Sequence, residues 1–226
     1  MISIKQVGNQ IIKEPSWEKF LLEHQPRNNF KEYYQKRLAK NENEYWQILA
    51  EAETAYLFHF KFKIPIIDFE RITIKGKNVD LVAKHNDSEI YIEVTTSQYK
   101  PEKNTDTQQD AKLKRALGHG SKKFLENQRN FVVYYDEQLY PLFYDPYFMN
   151  DSVPDNYFNL PILDCDNGKV VDLKKISALL LFGGRQPFDE NKRCAKVWRN
   201  PNAHVDLGLS EKDIKIIEGG KNYELI

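Results

Sequence analysis

Cysteine is scarce in this chain. Only Cys165 and Cys194 occur among 226 residues. That is too few for a disulfide framework or a thiolate zinc site, and free thiols in a reducing compartment are the expectation. Long apolar runs are missing as well. None approaches the ~18 residues that a membrane span needs, and the opening MISIKQVGNQ has no apolar stretch of signal-peptide length. The chain therefore reads as cytoplasmic. It carries no excess charge, with 33 Lys and Arg against 33 Asp and Glu, so no global attraction draws it to nucleic acid or to an anionic membrane. Phosphate-loop patterns are absent, and Gly183–Gly184 reads as a tight turn. No G-x-S-x-G is present. Cys165 lies in an acidic loop that would raise its pKa and blunt it as a nucleophile. His24, His59, His85, His119 and His204 share no metal-ligand spacing, which leaves a zinc site without support.

What is present is an ordinary apolar fraction, 41%, with 29% charged residues and an unusual supply of aromatics, 13 Tyr and 13 Phe. This describes one globular domain. Charge is segregated along it. Residues 136–172 carry eight acids and only Lys169 as a base, whereas 192–204 carry Lys192, Arg193, Lys196 and Arg199 and no acid. A neutral chain so divided can still hold a polyanion on one face. Residues 1–44 form an N-terminal helical extension, with Ser16 as an N-cap for SWEKFLLEH. Apolar spacing then predicts helix from Phe30 to about Phe62, stopped by Pro65. The core is expected over 45–136. There the period changes from 3.6 to 2: RITIKGKNVDLVAK gives two strands about a turn at Lys75–Gly76–Lys77, HNDS a second turn, and EIYIEVTT a third strand. DAKLKRALGHGSKKFLENQ, 110–128, reads as helix and NFVVYYDE as strand. A helix between strands implies a parallel crossover, so the fold class is α/β with a mixed sheet flanked by helices. Residues 137–175 look like an acidic, aromatic insertion, either a lid or partner surface or ordinary buried packing. Residues 176–226 form a C-terminal elaboration: strand SALLLFGG, strand CAKVWRNPNA, and a tail helix capped by Ser210.

Two acids interrupt the strands. Asp80 sits in NVDLVAK and Glu93 in EIYIEVTT. An isolated buried carboxylate is costly. Alternation puts both on the less apolar side of their strands, so they are either solvent-facing or drawn together across the hairpin. Drawn together they repel, and a hard divalent cation between them would relieve that. The helix segment ILAEAETAYLF adds Glu51 and Glu53, flanked by small alanines that permit close packing on the sheet.

A helical Glu, then Asp80, twelve intervening residues, and Glu93–Val94–Thr95 resemble the PD-(D/E)xK nuclease superfamily, the restriction-endonuclease-like fold. The order helix, three-stranded meander, crossover helix, parallel strand is similar too, over roughly residues 45–136. The resemblance implies a metal-dependent nuclease hydrolysing phosphodiester bonds, with DNA the expected partner, RNA left open, and a homodimer an arrangement that double-strand cleavage often uses. It implies Asp80, Glu93 and the Val94 carbonyl as ligands of Mg²⁺ or Mn²⁺, with Glu51 (or Glu53) completing the site. The chain departs from the family at Thr95, where a Lys is usual. Thr binds a water but brings no positive charge. Lys112 is the replacement chosen for the catalytic role, from a group that also includes Lys114, Lys122, Lys123 and Lys100. Lys114, Lys122 and Lys123 are assigned to backbone phosphates, where a solvated helix face would look the same in sequence. The rival function is a catalytically inactive module of this fold that binds nucleic acid or a protein. Bases around Trp198 could stack a single strand, or Trp198 could pack in the core.

Overall fold

The computed structural model describes residues 47, 50–51, 54–55, 57–74, 76–96, 106–136, 157–163, 168–183, 192–219 and 223–224. The segments expected over 1–44, the loop at 97–105 and residues 137–156 lie outside them. Gln47, Ala50, Glu51, Thr54 and Ala55 are helical and recur on one face at the helical period. Ala50, Glu51, Thr54 and Ala55 are buried. Leu57–Lys61 then winds wider, closed by the Phe62 N–H donating to the Leu57 carbonyl at 2.8 Å.

Pro65 stops the helical run as expected, and strand β1, Ile66–Ile74, follows at once. It starts five residues earlier than RITIK suggests. β2 is Lys77–His85 and β3 is Ser88–Thr96. Between them, His85 pairs with Ser88. Asn86 and Asp87 both take left-handed backbone, φ 46° and 62°, the geometry that a two-residue hairpin turn requires and that Asn and Asp tolerate. Helix α1, Asp106–Ser121, crosses over to β4, Arg129–Asp136, which runs parallel to β3. β5, Ala178–Gly183, is parallel to β4. β6, Lys192–Arg199, turns back antiparallel and pairs at its start with the two-residue β7, Tyr223–Glu224. The strands lie in sequential order across the mixed sheet.

Apolar cores cover both faces of this sheet. One packs Ala50 and Phe58 against Leu81, Ile92 and Val133, and takes in Ile214 from helix α2, Glu211–Gly219. Ser210 caps α2, its hydroxyl accepting from the Asp213 N–H while the Asp213 carboxylate accepts from the Ser210 N–H. The other core packs Leu113 and Leu117 of α1 against Val132, Leu179 and Trp198. Central strands therefore carry apolar residues on both faces, as strands covered on two sides must.

One expectation needs correction, and the structure chooses between readings that the sequence left open for Trp198 and for part of the insertion. The helix expected to Gln128 ends at Ser121, because Lys122 and Lys123 turn their N–H groups back to the carbonyls of His119 and Gly120. Trp198 is fully buried and packs on Tyr157 at 5.2 Å between ring centroids, so it offers no stacking platform. Arg199 and Lys196 pair with Glu211 and Glu218 of α2, which draws that basic stretch toward its own chain. Part of the acidic insertion is core as well: Tyr157, Phe158 and Ile162 are buried.

Gly120 brings the end of α1 close to β4. A Cβ there would stand 2.5 Å from Val132 Cγ2, closer than packed carbons approach. Gly120→Ala is expected to push the last turn of α1 off the sheet and destabilise the fold by about 1–3 kcal/mol. Chemical denaturation of the two proteins checks this, and equal midpoints would show that the turn has slack.

Candidate active site

Strand register sets three acids in one row. Leu81 pairs with Ile92, so the next step places Asp80 opposite Glu93. Phe69 with Leu81 and Arg71 with Val79 place Glu70 opposite Asp80. The row continues through the pairs Glu93–Val132, Val132–Leu179 and Leu179–Trp198. One end of a line across the sheet is thus apolar core, and the other is acidic. The β2–β3 pairs run from His85–Ser88 to Leu81–Ile92. Beyond that point the Val94 N–H donates to Asp80 Oδ2 at 2.7 Å. Asp80 thus does a backbone group's work where the pairing stops.

Neither acid faces solvent. Asp80 is 9% exposed, Glu93 2% and Glu51 1%, because α1 covers the face that alternation had marked as less apolar. Glu51 is fixed by Gln47, whose Nε2 lies 2.9 Å from Glu51 Oε1 and 2.7 Å from the Val94 carbonyl oxygen, donating toward both. The turn after α1 brings in the cation. Lys123 Nζ lies 2.5 Å from Glu93 Oε1, and His119 Nε2 is 3.6 Å from the same oxygen. That turn is fastened to β1 by the Thr73 hydroxyl, which donates to the Lys123 carbonyl.

The electrostatics follow from this crowding. Burial, then the charges of Glu93 and Glu51, push Asp80 well above the carboxylate range, against the pull of Lys123 and of the Val94 N–H. Burial lifts Glu93 to about 7; Lys123 opposes it, and Glu51 and Glu70 add to it. Burial alone would lower Lys123, but the carboxylates of Glu93, Asp80 and Glu70 outweigh it and hold the ammonium protonated more firmly than usual. Buried carboxylates raised by burial and by one another, within a cleft, are a pattern that functional sites share.

The cleft over these groups has a volume of about 880 Å³. Glu51, Asp80, Glu93, Val94 and Thr95 line it, and so do Lys112, Lys122 and Lys123. Lys114 does not. Glu53 and Lys100 lie outside the described residues. The turn that follows the early end of α1 brings the Lys123 ammonium to Glu93. Lys112 stays on the body of α1, at the cleft wall. Among the lining residues that sequence reasoning missed are Glu70, His119 and Gln47. Glu70 fell outside the strand as drawn, although its separation from Asp68 by one residue is a strand signal. His119 was visible only as a histidine between glycines. Gln47 carried no signal.

Among the described residues no three His, Cys, Asp or Glu side chains form a ready metal-ligand group. The donor chemistry nonetheless fits a hard cation with few protein ligands and several waters. Glu93 Oε2 is buried and has no hydrogen-bond partner among the described residues, an open acceptor beside Asp80. An acceptor in that state costs about 1–3 kcal/mol unless something else satisfies it. No family model matches the chain, and no curated protein or solved structure matches it either.

Proposed function

We propose that the protein is a metal-dependent nuclease of the restriction-endonuclease-like type, acting on phosphodiester bonds with DNA as the expected substrate. The observation that carries this is that buried Asp80 and Glu93 stand opposite one another one step beyond the last β2–β3 pair, with a buried, unpartnered Glu93 oxygen and the Lys123 ammonium on its other oxygen. Asp80, Glu93 and the Val94 carbonyl would hold Mg²⁺ or Mn²⁺, with Glu51 behind them. A divalent ion so held polarises the scissile phosphate and acidifies an attacking water.

The chain's own groups do the rest. Glu51, kept in place by Gln47, adds negative charge behind the pair and strengthens its hold on a cation. The Thr95 hydroxyl orients a water. Lys123 supplies the positive charge that Thr95 cannot, on the side where the phosphate gains charge. Lys77, Lys112, Arg115 and Lys122, all lining the cleft, hold backbone phosphates on either side of the bond. The basic rim around an acidic floor favours a polyanion that brings its phosphates to a cation.

The test is cleavage of supercoiled plasmid, single-stranded DNA and RNA with Mg²⁺, Mn²⁺ or chelator. Metal-dependent cleavage that falls at least about 10³-fold in Glu93→Gln is expected, the loss corresponding to several kcal/mol of metal assistance. Nucleic-acid binding without cleavage would move the protein to the non-catalytic reading. Equal cleavage by wild type and variant would place the chemistry elsewhere.

A further inference from the structure

We propose that Gln47 is a positioning residue that clasps the helix carrying Glu51 to β3, and that this clasp tunes the site to a small divalent cation, Mg²⁺, in preference to Ca²⁺. The inference rests on the metal-dependent reading above. It starts from Val94. A residue in an antiparallel pair turns its N–H and its C=O to the same flank, where a partner residue exchanges both bonds. The β2–β3 pairs stop at Leu81–Ile92, before Val94 is reached. Side chains take over both of its groups. The N–H donates to Asp80 Oδ2 at 2.7 Å, and the carbonyl accepts from Gln47 Nε2 at 2.7 Å.

The Gln47 amide is fully committed. Its nitrogen carries two N–H groups. One goes to the Val94 carbonyl and the other to Glu51 Oε1, 2.9 Å away and one helical turn along. An ionised carboxylate and a carbonyl can only accept, so the nitrogen is the end of the amide that faces them. One atom therefore ties a helix to a strand 47 residues further along the chain. It also sets a spacing. The Glu51 and Val94 oxygens straddle the same nitrogen, so they stand no farther apart than those two contacts laid end to end. Glu51 and Val94 are both buried at 1% exposure, and Ala50 and Ala55, also buried, let the helix lie close to the sheet.

A fixed spacing matters differently to different ions. Mg²⁺ demands near-ideal octahedral geometry at short distances, whereas Ca²⁺ accepts six to eight oxygens at longer and more variable ones. Oxygens held by a shared N–H pair cannot re-space to admit the larger ion. Without Gln47 the helix and the strand are no longer tied at this point, and the advantage of the smaller ion shrinks.

The experiment measures Mn²⁺ binding from the free-ion electron paramagnetic resonance signal, and its displacement by Mg²⁺ and by Ca²⁺. Gln47→Met keeps the side-chain length but has no donor. It is expected to raise the Mn²⁺ and Mg²⁺ dissociation constants about 10–100-fold, the usual cost of losing a group that holds a ligand in place. The Ca²⁺ constant should change less, so that the preference for Mg²⁺ narrows. Thr54→Val is the control. Thr54 is buried on the same helix, and its hydroxyl has no partner among the described residues, so its loss should leave all three constants unchanged. If Gln47→Met does not fold, Gln47→Asn, one carbon too short to span both acceptors, should show the same narrowing. Unchanged constants in a folded Gln47 variant, an equal loss for all three ions, or the same loss in Thr54→Val overturn the proposal and leave the nuclease reading standing. A wild type that binds no Mn²⁺ overturns both.

Discussion

Asp80→Asn is expected to abolish metal-dependent cleavage, by about 10³-fold or more, and at the same time to raise the melting temperature of the metal-free protein. The two effects have one origin. Asp80 is buried among acids, and burial together with Glu93 and Glu51 disfavours its charged form. The charge that would hold a cation therefore destabilises the metal-free fold. Asn removes the charge and keeps a side-chain oxygen for the Val94 N–H, now 2.7 Å from Asp80 Oδ2. A gain on the order of 1 kcal/mol is the usual scale when a functional site is relieved, and it corresponds to roughly 2–4 °C for a chain of this size. Asp80→Ala separates the contributions. It too removes the charge, but it leaves the Val94 N–H without its acceptor, a loss of about 1–3 kcal/mol. Differential scanning calorimetry without metal, beside the cleavage assay, checks both. An Asp80→Asn protein that melts lower than wild type would show that Asp80 is a structural residue. One that cleaves normally would remove it from the site.

Much of this arrangement was legible in the chain because it rests on local signals. Period-2 alternation, the Asn86–Asp87 turn and the apolar run of NFVVYYDE gave the meander and the parallel crossover. Both strand acids were visible as polar interruptions of apolar segments. Their burial was not, because it depends on α1 lying over Val132 and Leu179, a contact between segments far apart in sequence. The same contact decided Lys123. Several lysines follow the strand, and nothing in their spacing says which one the turn after α1 returns to Glu93. The end of α1 decided it, through hydrogen bonds at His119 and Gly120 that helix propensity does not encode. Glu70 was lost to a boundary error of a few residues at the start of β1, and with it the third acid of the row. For Trp198 the sequence left two readings, a stacking platform or core packing; the ring lies in the core, and Lys196 and Arg199 pair with acids of α2.

The pH dependence should have opposite signs with and without metal. Glu93 has a pKa of about 7 in the folded chain against 4.5 for an ordinary glutamate, so the folded state holds this proton more tightly than the unfolded one. The stabilisation is complete below pH 4.5 and is lost as pH rises through 7. A shift of this size corresponds to at most about 3 kcal/mol. Metal-free protein should therefore melt progressively lower from pH 5 to pH 8, and Glu93→Gln, which has no proton to lose, should flatten that slope. Metal binding needs the ionised carboxylate, so its affinity runs the other way. Below pH 7 the Mn²⁺ dissociation constant should rise about tenfold per pH unit, roughly 100-fold between pH 7 and pH 5, for one proton displaced. With saturating Mn²⁺ the binding free energy adds to folding stability, and the melting temperature should then rise across the interval in which it falls without metal. Calorimetric melting curves at four pH values, with and without Mn²⁺, test the crossing. Parallel curves would mean that Glu93 does not change protonation when the cation binds, and that the buried carboxylate beside Lys123 is not the group through which this site takes its metal.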